Sequence, residues 1–364
     1  MGNTGGWTLA MKKKATASGW TNAAVSVNNA SDAFLARSEG IPAGLPEGVE
    51  DFNIGQTAVG AEYWTNHNLE GSLGELAARY EGVEKFLAQV AGEDTADVEA
   101  VTAYRHTARM LFSNVGQFVT IAKDTGVSIS EVPAARITGY ELKLADRMVT
   151  IAPNFVGNRL INPATVNTTL AAATPPSSKL ALLFNSLVFR MNAQSGSALA
   201  SPTDDLLMSD FGISWDRRQT ATPVNRSDGT PDEPESDGGA PEGTVRLVFP
   251  NLAAAHEVFL TSNLAVSVAE KTPYKADFTF TGPDITGSTG PVQFLGIWEF
   301  PKLVVRSFSS PGSGPLAKVP VTIEMGILTP DTAPAGMTWA FASGQGYPMR
   351  TQVLNENTIV EASA

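Results

Sequence analysis

Two stretches of this sequence follow the same course, one in each half. Glu70-Gly71-Ser72-Leu73 leads on to Glu84-Lys85-Phe86-Leu87, and Glu242-Gly243-Thr244-Val245 leads on to Glu257-Val258-Phe259-Leu260. In each, a turn-forming Gly and a short strand-like opening run into apolar residues at helical spacing: Val83, Phe86, Leu87 and Val90 in the first, Leu252, Ala255, Val258 and Phe259 in the second. A strand candidate that opens with an aromatic and a basic residue comes next, Tyr104-Arg105 in one half and Tyr274-Lys275 in the other. Arg136-Ile137 and Lys302-Leu303 then begin longer segments that end in Val149-Thr150-Ile151 and Val321-Thr322-Ile323. The second of these is the longer, and its excess falls in the turn-rich Ser309-Ser310-Pro311-Gly312-Ser313-Gly314. Within the first, Tyr140, Leu142 and Leu144 alternate with Glu141 and Lys143, the period of a strand with one buried face. Matched elements in one order are the signature of a duplicated unit.

A chain of 364 residues has room for two such units, each with a core. The 33 Gly and 23 Pro indicate many turns, hence a mainly β fold. The expected organisation is an extended N-terminal arm over 1–35, a first β lobe over 36–170, a connecting segment over 171–200 and a second β lobe over 201–364. Each lobe is expected to carry one short helix, near 81–91 and near 251–261. The arm is rich in Gly, Asn, Ser and Thr, and its two large aromatics, Trp7 and Trp20, are candidates either for packing on their own lobe or for docking on a neighbouring subunit. Between Arg226 and Arg246 lie six carboxylates, several Pro and Gly, and no basic residue, so 227–242 is expected to be an exposed, mobile acidic loop whose removal is tolerated.

Several function classes fall away. With no Cys there is no disulfide, thiolate metal site or Cys nucleophile. The net charge of -12 opposes binding to nucleic-acid phosphates. No run approaches the roughly 20 apolar residues of a membrane span, and the Lys12-Lys13-Lys14 cluster is followed by a polar rather than an apolar stretch, so neither a membrane partner nor Sec export is expected. The Met1-Gly2 start has Gly6 where a myristoylation pattern wants Ser or Thr. The three histidines, His67, His106 and His256, have no second ligand at metal-site spacing and read as structural or surface residues. Asp204-Asp205 and the Glu233/Glu235 pair read as solvated charge, because general acid–base work needs carboxylates held across a cleft. Arg217-Arg218 follow Phe211, Ile213 and Trp215, which alternate as a strand does, and read as its outer face. Walker, dinucleotide and G-x-S-x-G motifs are absent from the sequence. The reading is therefore of no catalytic, cofactor-binding or metal-ligating residues and no cofactor.

The succession GSLGELAARYEGVEKFLAQVAGE (71–93), the segment 103–158 with His106-Thr107, Phe118-Val119-Thr120-Ile121 and the two-strand unit from Ala135 to Ala152, and later WEFPKLVVRS, VPVTIEM and PMRTQVLNEN (348–357) resemble the tail tube (major tail) proteins of bacteriophages. The resemblance covers about 60–160 and 240–357. It implies a β-sandwich or half-open barrel with one flanking helix, whose subunits join sheets around a ring and so close their edge strands. It further implies a structural, non-enzymatic role in the virion tail, assembled in the host cytoplasm. The partners it implies are further copies of the chain, as a trimer or hexamer stacked into a tube, and the tape measure and tail terminator or tip proteins. Viral DNA would cross the lumen without specific binding. The other readings open to the sequence are a secretion-tube or capsid decoration protein, and a carbohydrate-binding β-sandwich module.

Overall fold

The computed structural model describes the chain apart from residues 1–7, 15–18, 35–40, 42–45, 52–60, 68, 176–179, 223, 225–229, 237–239, 251–271, 288–289, 310–319, 338–345 and 361–364. The described residues are mainly β. The first part of the chain gives β1 (Thr8–Lys13), β2 (Ala33–Phe34), β3 (Pro46–Asp51), β4 (Ala61–His67), β5 (Leu69–Ser72), β6 (Leu76–Ala77), helix α1 (Val83–Ala91), β7 (Thr95–Ala100), β8 (Ala103–Arg109), β9 (Val119–Asp124), β10 (Ile129–Ala145) and β11 (Met148–Gly157). The remainder gives β12 (Leu187–Ala193), β13 (Asp210–Asp216), β14 (Gln219–Thr220), β15 (Glu235–Ser236), β16 (Glu242–Phe249), β17 (Tyr274–Asp284), β18 (Gln293–Ser309), β19 (Val321–Ile327) and β20 (Arg350–Asn355). Sixteen strands form one antiparallel sheet, in which β2-β1-β9-β10-β13-β16-β19-β18-β20-β8-β7 is a continuous path.

One three-strand unit occurs twice. Its centre is a 17-residue strand, β10 or β18. The N-terminal part of β10 pairs with the strand before it, β9, and its C-terminal part with the strand after it, β11; β18 does the same with β17 and β19. Partners change at Ala135 in the first unit and at Leu303 in the second. Just before each change lies a bulge opened by a proline: Pro133-Ala134 oppose Thr120 alone, and Pro301-Lys302 oppose Lys275 alone. Proline has no N–H for a ladder, so an interior strand tolerates it only where the ladder is already broken, and the bulge bends the strand toward its second partner. Outside each unit, β5 pairs with β11 as β16 pairs with β19.

The repeat deduced from sequence thus pairs the right long segments, but two residues out of register, since Ala135 corresponds to Leu303 and Arg136 to Val304. One of its elements is corrected. Tyr104-Arg105 lie in β8, which pairs with β7 and β20 and not with a long strand; the counterpart of Tyr274-Lys275 is Val119-Thr120 in β9.

Helix α1 starts and ends on glycines with left-handed φ, Gly82 (φ 111°) and Gly92 (φ 86°), and all nine of its residues are buried. It matches the helix expected near 81–91; the one expected near 251–261 lies outside the described residues. The main core draws on both halves of the chain, from Leu9, Phe86 and Ile137 to Val245 and Trp298. At its centre the Phe278 ring meets Phe189 at 4.6 Å, Phe211 at 5.4 Å and, edge-on, Phe300 at 5.9 Å. Such ring pairs add about 0.5–1.5 kcal/mol each beyond area burial.

Two expectations about peripheral segments change. Residues 8–13, read as part of an arm, are extended but form β1, laddered along its whole length to β9. Leu9 and Met11 join the main core and Ala10 a second cluster on the opposite face, so the strand is covered on both sides and lacks the alternation that would reveal it in sequence. Trp20 packs on its own chain: its ring lies 5.8 Å from that of Phe118 and its indole N–H donates to the Pro231 carbonyl at 2.9 Å. Trp7 lies outside the described residues. The acidic loop is likewise not a free projection over 230–236. Thr230, Pro231 and Pro234 are buried, and Glu233 pairs with the guanidinium of Arg136, itself 1% exposed, which also donates to the Pro234 carbonyl. Pairing with a buried guanidinium offsets the cost of its desolvation, and here it holds one acid of the loop against the sheet.

Candidate functional site

The residue types that could carry chemistry are placed by structural needs. His106 is buried in β8, with Nδ1 3.3 Å from Asp94 Oδ2 and Nε2 donating to the Asn357 carbonyl at 2.8 Å. Burial alone would lower its pKa, but the Asp94 hydrogen bond, the charges of Glu84 and Asp94 and the Asn357 carbonyl raise it to about 9. His106 is therefore an imidazolium at neutral pH, tying the chain after β20 to β8 and, through Asp94, to the segment that follows α1. The chain from the end of β20 is also held by Asn355 Nδ2 on the Tyr80 carbonyl at 2.8 Å and by Asn357 Nδ2 on Glu84 Oε1 at 3.0 Å. A groove of about 440 Å³ lies beside it, between Ser31, Glu81, Lys85, Pro175 and Glu356. Burial and the neighbouring Glu356 and Glu84 push the Glu81 carboxyl up. His67 lies in β4, and His256 falls outside the described residues.

Asp204 and Asp205 close a turn. Asp204 accepts from the Ala200 amide at 2.8 Å and Asp205 from the Ser201 hydroxyl at 2.7 Å. That turn seals the outer edge of β12 through Leu206 N–H to Phe189 O and Met191 N–H to Asp204 O. Phe211, Ile213 and Trp215 do alternate into the core, but Arg217 is not on an outer face. It is 2% exposed and donates to the carbonyls of Val90 (2.5 Å), Ala91 (2.9 Å), Leu111 (2.8 Å) and Phe112 (3.3 Å). Arg217 keeps the inward parity of Phe211, Ile213 and Trp215 one residue past the end of β13, which brings it under the C-terminus of α1, whose last carbonyls lack intrahelical donors. Burial, then the charge of Arg136, hold its pKa down to about 10.

Sequence reasoning missed Glu131. It is wholly buried in β10, and its carboxylate accepts five hydrogen bonds: Thr165 N–H and hydroxyl at 2.8 and 2.9 Å, Val166 N–H at 3.1 Å, and Asn167 N–H and Nδ2 at 3.0 and 2.8 Å. Burial would raise its pKa; the bonds from Thr165 and Asn167 hold it below the usual range. The signal available was a lone Glu inside the apolar run around Val132-Pro133-Ala134-Ala135. Its counterpart in the second unit, Glu299, pairs with Arg350 of β20.

Strands β10, β13, β16, β19 and β18 lie side by side, with one face toward the main core and the other polar. One row inward is apolar, Leu142-Ile213-Val245-Met325-Val305. The outward rows run Lys143-Gly212-Arg246-Glu324-Ser307 and Glu141-Ser214-Thr244-Gly326-Val304. Arg246 lies across Gly212, where a Cβ would stand 3.5 Å from its Nε, and Arg306 lies across Gly326, where a Cβ would collide with its guanidinium. The bulge between Val305 and Ser307 turns Arg306 onto this face. Arg246 pairs with Asp210 at 2.7 Å, while Arg306 and Arg218 share the two oxygens of Glu242. Those arginines hold the Glu242 carboxyl below its usual range.

At the far end of the sheet, β7 pairs only with β8 among the described residues, and it exposes Val98 and Glu99. Among the described residues no group of three or more His, Asp or Glu could hold a metal ion, and no helix is long and apolar enough to cross a membrane.

No family model matches the sequence, and no curated protein matches it. Thirteen chains of solved structures show similarity. One is from the tail of an empty GTA particle with C6 symmetry; it is 11% identical, has a TM-score of 0.25, and the match covers 43% of this chain and 97% of that one.

Proposed function

We propose that this chain is a structural subunit of the tail tube of a phage or tail-like particle, self-assembling into stacked rings that form a conduit for genome delivery. The observation that supports this most is the twice-used three-strand unit, with its bent 17-residue central strand, built into one continuous sheet. Bulge-bent strands give a sheet the curvature that a ring needs, and ring closure satisfies an edge such as β7 that would otherwise invite aggregation. The sequence resemblance to tail tube proteins runs through the same segments. On this reading two related halves, 36–170 and 201–364, joined by 171–200, let three copies make a ring with six similar positions; a hexamer of whole chains is the other stoichiometry. The chain acts mechanically rather than as an enzyme, in the virion tail, with tape measure and terminator or tip proteins at the tube's ends and DNA in its lumen.

Negative-stain microscopy of the purified chain tests the reading. Rings or tubes are expected, and a persistent monomer that binds glycans would overturn it.

A further inference from the structure

Strands β12 and β17 set Asn192 directly opposite Lys275, on the face turned away from the core that Phe189, Met191, Ala276 and Phe278 enter. Directly opposed side chains of an antiparallel pair stand about 4.5–5.5 Å apart at Cβ. The next pair on this face, Arg190 and Asp277, is settled as an ion pair at 2.5 Å. The Asn192 and Lys275 pair is not settled in that way. Lys275 is fully buried, and its ammonium donates to a backbone carbonyl, that of Gly196, at 2.7 Å, with no carboxylate at ion-pair distance among the described residues. Burial lowers its pKa, against the opposing pull of the Asp204 charge, and so favours the neutral amine. Asn192 Oδ1 is buried and accepts no hydrogen bond among the described residues, an uncommon state for a buried amide oxygen.

The chain after β12 folds back over this pair. A Cβ on Gly196 would stand 3.6 Å from the Asn192 amide carbon, so that carbon and the Lys275 amine border the same glycine. Asn192 Nδ2 donates to the Ser197 carbonyl at 3.1 Å and to Asp204 Oδ2 at 3.3 Å, and the Ala200 N–H donates to that same oxygen at 2.8 Å. Asp204 is thus fixed against the nitrogen that would leave on attack by Lys275.

We propose that Lys275 and Asn192 condense within the folded chain to an isopeptide cross-link between β12 and β17, with Asp204 as the proton carrier. The Lys275 ammonium gives one proton to Asp204, and the freed amine adds through Nζ to Asn192 Cγ. Asp204 passes its proton to Nδ2, the Cγ–Nδ2 bond breaks, and Nζ gives up a second proton to Asp204. Ammonia takes that proton and departs as ammonium, carrying away the charge that Lys275 brought. A buried neutral amide then stands where a buried ammonium stood, which removes the desolvation cost of the charge. Strand β12, which pairs with β17 alone among the described residues, becomes covalently tied to the sheet. The bond forms inside one chain, whether or not copies assemble.

The test is the denatured intact mass of the purified full chain, fresh and after prolonged incubation, followed by a tryptic map. The chain should be lighter than its sequence by one ammonia, and residues 191–217 should be recovered joined to 272–302, with Lys275 uncleaved. Full mass in both samples, ammonia lost to a succinimide instead, or Lys275 joined to an aspartate with loss of water would each overturn the proposal. Lys275→Arg, which keeps the positive charge, and Asn192→Ala should each retain full mass while circular dichroism shows the native fold. The wild-type mass decides the matter even where a variant fails to fold. Asp204→Asn, which keeps an acceptor for the Ala200 N–H, should slow cross-linking by about a hundredfold. Cross-linking of that variant at the wild-type rate would overturn the role given to Asp204.

Discussion

Replacing Arg217 by Met would probe the join between the helix and the sheet. In the native chain the guanidinium is buried with no carboxylate beside it among the described residues, and its compensation is four backbone carbonyls, two at the C-terminus of α1 and two in the 111–112 segment. Methionine fills nearly the same volume but donates nothing. Removing a buried charge recovers some desolvation free energy, which is why swaps of whole ion pairs for apolar residues can be harmless. Here, however, only one side of the interaction is removed, and the acceptors stay buried. The Ala91 carbonyl keeps the Leu111 N–H; at roughly 1 kcal/mol for each of the other three carbonyls, with partial relaxation, and up to about 1 kcal/mol for the lost cation at the helix end, the expected destabilisation is about 2–4 kcal/mol. That is a large share of a typical domain's stability of roughly 5–15 kcal/mol. Urea unfolding followed by tryptophan fluorescence at neutral pH would read it as a lower midpoint at unchanged slope. Arg217→Lys, which reaches fewer of the four acceptors, should fall between. A Met variant within about 1 kcal/mol of wild type would refute the role given to Arg217.

Stability should also depend on His106. With a folded pKa of about 9 against an ordinary value of 6.5, its contribution of about 3 kcal/mol is fully present below pH 6.5 and lost as pH rises through 9. Lys14, held down to about 8 by burial, pulls the other way, so the measurement is the difference between wild type and His106→Gln, which should shrink from pH 6.5 to pH 9.5. Glu131→Gln offers one acceptor oxygen where five donors converge, and should cost about 3 kcal/mol and speed hydrogen exchange of the Thr165, Val166 and Asn167 amides; unchanged exchange would count against the carboxylate as their anchor. Glu233→Gln should loosen 230–236 and red-shift or quench Trp20 emission by freeing its contacts, and deletion of 227–242, which strips Arg136 of its carboxylate, should destabilise the chain rather than pass unnoticed in thermal melts.

What the sequence could reveal was periodic. The alternation of Tyr140, Leu142 and Leu144, and of Phe211, Ile213 and Trp215, is visible because one face of each strand is wet, and α1 is visible because Val83, Phe86, Leu87 and Val90 fall at helical spacing. Residues whose roles depend on distant partners were not visible. Arg217 serves carbonyls of residues 90, 91, 111 and 112, and Arg136 is matched by Glu233 nearly a hundred positions on. Composition made 227–242 read as a mobile loop, since nothing local says that one of its acids is claimed by a buried cation. The polar face was hidden for a related reason: Gly212 and Gly326 look like turn residues until their neighbours Arg246 and Arg306 are seen lying over them.

The two bulges show how the repeat could have been registered from sequence, and why it matters. Glu131-Val132-Pro133 and Glu299-Phe300-Pro301 share the pattern Glu, apolar, Pro, and the proline identifies the place because a non-ladder position is obligatory for it in an interior strand. Aligning on those prolines brings the two partner changes, at Ala135 and Leu303, into coincidence, which the apolar pattern alone cannot do because a shift of two residues leaves every side chain on its own face. The glutamate two places before the proline is buried at both sites, and each carboxylate secures the next segment that has to lie against the bend: Thr165 to Asn167 in the first unit, Arg350 of β20 in the second. The second of these segments then carries β8, a strand from the other half, on its far side. What is repeated is therefore a bent strand with an anchor, and the second anchor adds β20, and through it β8 and β7, to a sheet whose halves also meet where β10 pairs with β13.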